Sequence, residues 1–445
     1  MYKLSKFTKV IEKEKTYLIN TMTQKVFALN ELGKFQKFLS SDLQGISVSD
    51  HELLCDLVNN KIIVEDTAKE KFVSELSYYD SIYDTTCNLT ILPTEQCNFR
   101  CVYCYEKYNH GKMSVEIADN ILKYLAKNAR KFSGINVSWF GGEPLLAVDV
   151  IEYISKQIIQ ISKFYHIPYV ASMTTNGYLL DYETFEKLLE LKIFSYQLTI
   201  DGTEESHDKT RYTIGHEKSY RRIINNLVNI KNKVKNKHFT ISIRCNLTVE
   251  SINVINNFIN EMDYYFGGDK RFEFYFRPVG NWLDSKIDEA NILKSDDIIL
   301  EKLLLNPKKL NYNSYYNLLF AQQCISLKRN HYVIRSNGDV AKCTVYLDES
   351  IIGKVESSGK LQLNYEKLGR WIFPENVDSS CKECAFWGKC HGHSCPVKKI
   401  SANHSDKKDC GYELNSIEKI IDLIEQSDKY NGFSNIILLD VKKEN

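Results

Sequence analysis

The spacing of apolar and polar positions changes character twice along this 445-residue chain. Near the start it has period two: residues 7–11, 16–20 and 25–29 alternate as strands do, and the polar run Asn20-Thr21-Met22-Thr23-Gln24 is a turn between the second and third. Helical spacing follows over 31–39 and 49–58, with Asp50 near the second start, and 61–64 reads as a closing strand. Strands, then helices, then a small wing predict a winged-helix unit over residues 1–65. Residues 66–85, rich in Glu, Ser, Tyr and Asp, predict a linker or a short bridging helix.

From Cys87 onward, period-two stretches alternate with amphipathic ones. The predicted strands are 88–92, 135–139, 169–173, 196–200, 239–245 and 272–276. Helices such as 115–127, 184–191 and 220–234 lie between them. Alternation of this kind predicts an α/β domain with a curved parallel sheet. Residues 281–318 are helix-rich and carry no chemical signature. Residues 332–335 and 340–342 flank Ser336-Asn337-Gly338-Asp339, a hairpin with an Asn-Gly turn. A closing helix over 413–426 and an edge strand within 435–441 complete the pattern.

Charge narrows the partners. Acids and bases nearly cancel, for a net charge of +1, which argues against a nucleic-acid polyanion as main partner. No run of about twenty apolar residues is present, so no membrane span is expected. Met1-Tyr2-Lys3-Leu4-Ser5-Lys6 leads into alternating charge rather than an apolar signal core, so a cytoplasmic location is expected. Of 13 cysteines, ten fall within 97–104 or in the C-terminal third. In a reducing compartment such grouping points to metal rather than to disulfides. Cys55 and Cys245 sit in apolar segments and read as core, while Cys87 fits either role.

Cys97, Cys101 and Cys104 have C-x3-C-x2-C spacing on the loop between the first barrel strand and its helix. Three thiolates there can hold three irons of a 4Fe–4S cluster and leave the fourth open to a ligand. Zinc is the alternative, but it wants four ligands, and His110 is the only further candidate nearby. The stretch Cys97-Asn98-Phe99-Arg100-Cys101-Val102-Tyr103-Cys104-Tyr105 resembles the signature of the radical S-adenosylmethionine (radical SAM) enzymes. The resemblance implies a partial (β/α)6 barrel, over 86–318 here, and S-adenosyl-L-methionine as cofactor. That cofactor is cleaved by one electron to a 5′-deoxyadenosyl radical that abstracts hydrogen. The resemblance also gives a meaning to motifs at the strand ends. In Phe140-Gly141-Gly142-Glu143-Pro144 the segment would bind the cofactor's amino group, with Gly141 and Gly142 allowing close approach. Ser172 would lie near the ribose, and Asn176-Gly177 would shape the turn. Asp201 follows Thr199-Ile200, where relatives have serine at position 199. Arg211, in His207-Asp208-x-x-Arg211, would meet the carboxylate. Arg244-Cys245-Asn246 and Arg277-Pro278 end the last two strands in supporting roles.

The C-terminal third holds Cys324, Cys343, Cys381, Cys384, Cys390, Cys395 and Cys410, an order that resembles the SPASM iron–sulfur extension, over 319–445. Four residues separate Cys390 from Cys395 where three are expected, and zinc could use the same cysteines. By resemblance, Cys381, Cys384, Cys390 and Cys410 complete one auxiliary cluster. Cys324, Cys343 and Cys395 hold a second with one open position, which makes three 4Fe–4S clusters in all. The N-terminal unit resembles the element that docks the leader of a ribosomally made precursor peptide by adding it as a strand. The implied function is radical modification of such a peptide to an intramolecular crosslink, a thioether first and a carbon–carbon link next, with a flavodoxin- or ferredoxin-like reductant. The alternatives are an anaerobic sulfatase-maturing enzyme, which makes formylglycine, and a non-enzymatic iron–sulfur electron carrier.

Overall fold

The computed structural model describes residues 2–29, 48–65, 67–280, 287–295, 297–305, 310–320, 323–373, 379–392, 395–397, 416–431 and 436–438. They fall into two compact units. The first comprises Met1–Ile82, Tyr315–Cys324 and Pro374–Asn445; the second comprises Tyr83–Ser314 and Ile325–Phe373.

In the first unit, β1 (Tyr2–Leu4), β2 (Thr8–Glu12), β3 (Thr16–Asn20), β4 (Lys25–Leu29), α1 (Val48–Asn59), β5 (Ile63–Glu65) and α2 (Glu70–Ile82) follow in order. The expected strands form an antiparallel meander, β2-β3-β4, while β1 pairs with β5. Asn20 Oδ1 accepts from the amides of Met22 and Thr23 and so builds the β3–β4 turn. Leu18, Phe27 and Leu29 of the meander bury against Leu53, Leu54 and Leu57 of α1 and against Ile62 and Ile63. The helix expected over 31–39 lies outside the described residues. The stretch read as a linker contains α2, whose buried Tyr78 stacks on His391 with ring centroids 4.1 Å apart.

The second unit runs β6 (Cys87–Ile91), α3 (Val115–Asn128), β7 (Ile135–Trp139), α4 (Val148–Tyr165), β8 (Tyr169–Thr175), α5 (Tyr182–Glu190), β9 (Ile193–Thr199), α6 (Glu204–Thr210), α7 (Tyr220–Lys233), β10 (Thr240–Leu247), α8 (Ile255–Phe266) and β11 (Phe272–Pro278). Strands β6 to β11 pair in parallel in sequence order, as the alternation predicts. Four more strands extend the sheet beyond β6: β12 (His331–Ile334), parallel to β6, then β13 (Asp339–Ala341), β14 (Ile351–Val355) and β15 (Leu361–Leu363), all antiparallel. The place beside β6 that would close a barrel onto β11 is therefore taken by β12. On β7 the apolar positions Ile135, Val137 and Trp139 are buried, and the alternate positions are Asn136 and Ser138. Polar positions of this kind on β6 to β9, with His331 of β12, line a cavity of about 420 Å³.

The β12–β13 turn differs from the expected Asn-Gly type. Such a turn needs positive φ at both central residues, but here only Gly338 has it, at +86°. Gly338 N donates to Arg335 O and Arg335 N to Asp339 O, each at 2.9 Å. This is a tight turn closed by a left-handed glycine. The second unit also holds α9 (Asp297–Leu305) and α10 (Tyr365–Ile372), and the first holds α11 (Trp387–Cys390), α12 (Ile417–Asn431) and β16 (Ile436–Leu438).

Candidate active site

The loop after β6 is set by the loop after β7. Phe140 N donates to Ile91 O (3.0 Å) and Glu143 N to Gln96 O (2.9 Å), which brings the second loop against the first. A Cβ on Gly141, whose φ is +125°, would stand 2.2 Å from Thr94 O, and one on Gly142 would stand 2.4 Å from Gln96 O. The absence of a Cβ at both positions lets the protein's own cysteine loop approach closely.

Glu143 is fully buried and joins two strand ends. Its carboxylate accepts from Leu145 N (3.0 Å), Thr175 Oγ1 (2.7 Å) and Asn176 N (2.7 Å). Burial raises its pKa, against these hydrogen bonds. The Asn176 side-chain amide donates to Asn98 Oδ1 at 2.8 Å and reaches Cys97 Sγ at 3.9 Å, so the β8 end is tied to the cysteine loop. Ser172 lies lower on β8, with its hydroxyl 3.1 Å from that of Ser138 in the cavity wall.

Tyr103 is a hub. Its phenol donates to Asp201 Oδ2 and receives Nη1 of Arg211 at 2.8 Å and Nδ2 of Asn246 at 3.3 Å. Asp201 also accepts from Asn246 N (3.1 Å) and Thr210 Oγ1 (3.2 Å). Burial raises the Asp201 carboxyl, while Arg211 opposes the rise. The His-Asp-x-x-Arg segment divides its labour. His207 Nδ1 accepts from Asp201 N at 3.1 Å, and Asp208 Oδ1 accepts the Ser219 and Tyr220 amides at the start of α7. Arg211, buried and 5.8 Å from the Phe99 ring, aims at Tyr103. Burial, then Arg211, holds His207 well below its usual pKa, so its imidazole is neutral.

Burial pushes the Cys97 thiol up to about 12 and the Cys101 thiol up to about 11. Tyr108 OH donates to Cys104 Sγ at 3.3 Å. Among the described residues no three His, Cys, Asp or Glu side chains converge on one ion. An iron–sulfur cluster makes no such demand, because each thiolate takes its own iron. Cys381, Cys384 and Cys390 sit on successive short turns of the first unit, with Cys384 N on Cys381 O and Cys390 N on Phe386 O. Cys324 and Cys395 belong to the same unit, Cys343 to the second, and Cys410 lies outside the described residues.

Residues 91–259 match the family model of the Radical SAM superfamily. The chain carries a radical SAM domain. A cysteine-type anaerobic sulfatase-maturating enzyme of Clostridium novyi is 25% identical over 337 residues, which is 67% of this chain and 84% of that protein. The GTP 3′,8-cyclase of Clostridium botulinum is 32% identical over 127 residues, but these make up only 27% of this chain and 37% of the cyclase. Among solved structures, anSMEcpe with bound AdoMet shares the fold, with a TM-score of 0.54 at 20% identity over 79% of this chain and all of that one. The match places a radical SAM domain on residues 91–259, within the α/β sheet of the second unit.

The radical SAM site has room for both halves of its chemistry. Arg211 Nε is buried without a hydrogen-bond partner, a donor left over for a carboxylate. Glu143 Oε2 accepts from Asn176 N, and its other lone pair can serve an ammonium group. The raised thiols mean that iron must displace protons at Cys97 and Cys101.

Three features escaped the sequence reading. Arg335, at the start of the β12–β13 turn, makes two 2.9 Å bonds to Glu95, both side chains being 2% exposed, and a 2.5 Å bond to Asp348. Glu106 is half-buried beside this cluster, and desolvation lifts its carboxyl to about 7. His331 lines the cavity with Nδ1 unpartnered and Nε2 3.4 Å from Thr90 Oγ1. Each depends on a strand pairing far apart in sequence, and the only local hint was polar residues alternating inside apolar strands.

Proposed function

We propose that this chain modifies a ribosomally synthesised precursor peptide by radical chemistry, forming an intramolecular crosslink, a thioether in the leading form. With cluster and S-adenosylmethionine bound, the site supplies a 5′-deoxyadenosyl radical that takes hydrogen from a substrate carbon. The chain's residues do the positioning. Cys97, Cys101 and Cys104 hold the cluster. Arg211, through Nε, and Glu143, through Oε2, bind the carboxylate and ammonium of the cofactor's methionine moiety. Tyr103, Asp201 and Asn246 fix the arginine, and Gly141 and Gly142 fix the cysteine loop. The cavity beneath, where Asn88, Ser138, Ser172 and His331 stand among apolar residues, accepts the substrate segment. Cys381, Cys384, Cys390 and Cys410 hold an auxiliary cluster, and a small redox protein supplies electrons.

The observation that carries the peptide reading is the N-terminal unit. Its meander, α1 and wing have a core of their own. An antiparallel meander is the kind of sheet to which an extended leader adds as a strand. The second reading, sulfatase maturation, is favoured by the Clostridium novyi relative, matched over 84% of its length. Anaerobic co-expression with a short cysteine-containing peptide encoded nearby separates the two. A thioether removes two hydrogens, keeps the sulfur and blocks thiol alkylation. A formylglycine loses the sulfur and gains an aldehyde. A peptide recovered unmodified, with a sulfatase-derived peptide converted to the aldehyde instead, would decide for the second.

A further inference from the structure

The sheet of the first unit is not bounded by its own meander. Its order is β16-β4-β3-β2, so the β4 edge is taken by a strand more than 400 residues later in sequence. The pairing is parallel and three residues long: Ile436 opposite Val26, Ile437 opposite Phe27 and Leu438 opposite Ala28. Ile436 is 6% exposed and Ile437 39%. The preceding helix, α12, has independent anchors. Ile417, Ile420, Ile421, Leu423 and Ile424 are buried, Tyr17 OH donates to Glu425 at 2.8 Å, and Lys13 Nζ is 2.7 Å from Asp422.

The energetics of the two elements differ. Five buried aliphatic side chains hold α12, whereas β16 is held by a three-residue pairing and one buried side chain, Ile436. Short parallel pairing at an edge is the weaker kind of sheet pairing. The strand can leave while the helix stays. While attached it competes at an effective concentration on the order of millimolar, because only residues 432–435 join it to α12. It also reveals what the edge accepts: an extended backbone with consecutive aliphatic side chains, one of them seated opposite Val26.

We propose that β16 is a displaceable self-ligand of the β4 edge. It closes the edge in the resting chain and yields it to an extended aliphatic segment of a peptide partner, so that docking is conditional on release of the C-terminal strand. This rests on the peptide-docking reading above for the partner's identity, but not for the release itself.

The test uses the full chain and a fluorescein-labelled synthetic peptide of residues 432–445 as probe, read by anisotropy without cofactors or turnover. The unmodified chain should bind the probe weakly, and the full-length double variant Ile436→Asp/Ile437→Pro at least tenfold more tightly. Equal affinity for the two chains, or equal binding of a scrambled peptide, overturns the proposal. Hydrogen exchange on the same variant guards against a folding failure. Faster exchange confined to Lys25–Leu29, with Ile417–Asn431 still protected, supports release. Loss of protection through that helix makes the strand a structural part of the unit and overturns it. An unlabelled precursor peptide that fails to displace a bound probe would sink the docking reading while leaving the self-ligand standing.

Discussion

Tyr103 illustrates how one side chain serves two assignments. It sits among the cluster cysteines by sequence, yet its phenol is held by Asp201 and Arg211, on either side of α6, and by Asn246 of β10. Tyr103→Phe removes the shared oxygen and leaves Arg211 and Asp201 buried without it. A loss of about 1–3 kcal/mol in denaturant unfolding is expected, together with weaker binding of S-adenosylmethionine by calorimetry. Gly142→Ala is predicted to be worse for the cluster than for the fold. Its Cβ would meet the Gln96 carbonyl, which is backbone and cannot swing away. The loop bearing Cys97 must shift, so the variant should retain far less iron after anaerobic reconstitution. Full iron content with normal 5′-deoxyadenosine formation would show that the close approach is dispensable.

At the scale of elements, β12 joins the barrel sheet to the segment bearing Cys343. Arg335 follows this strand directly and forms its buried pair with Glu95, two residues before the first cluster cysteine. Removing one partner leaves a buried charge. Arg335→Met alone should cost about 3–5 kcal/mol, and the pair Glu95→Leu/Arg335→Met should recover much of it in urea unfolding. His331 sets the acid limit of the same element. Burial, then Lys342 and Lys328, lower its pKa from 6.5 to about 3. The folded state favours the neutral ring, so this contribution is complete above pH 6.5 and is lost as pH falls toward 3. The loss is up to about 1.4 kcal/mol per pH unit. His331→Gln should flatten that part of the unfolding profile. An unchanged slope would assign the acid sensitivity to other groups.

For the whole molecule, iron loading and protonation are linked through Cys97 and Cys101. Burial lifts both thiols, to about 12 and about 11, from an ordinary value of 9. In the metal-free chain the neutral thiols favour folding below pH 9, and that stabilisation declines as pH climbs toward 11–12. Cluster assembly removes the protons instead, so reconstitution at pH 8.5 should be more complete than at pH 7.0 and should release protons to an unbuffered solution. A loading yield indifferent to pH would contradict this. The replacement of Cys97, Cys101 and Cys104 by Ala should abolish 5′-deoxyadenosine formation altogether.

Much of the architecture was legible because it is written locally. Period-two stretches placed β6 to β11 within a few residues, and Cys-x3-Cys-x2-Cys beside a strand end placed the cluster loop. The radical SAM motifs could be listed in chain order for the same reason. What those residues touch was not local. Gly141 and Gly142 face the chain's own Thr94–Gln96 backbone, and Arg211 reaches Tyr103 across 108 positions. The hairpin read as part of the C-terminal extension became the continuation of the barrel sheet, because β12 found its register on β6. The edge strand expected within 435–441 became the partner of β4, 410 positions away by the Ile436–Val26 pairing. Spacing and residue type determine which elements form and which ligands stand near one another in sequence. Strand pairing and burial, which depend on contacts between distant segments, decided which of them meet, which thiols are held protonated and which edge of the sheet is closed.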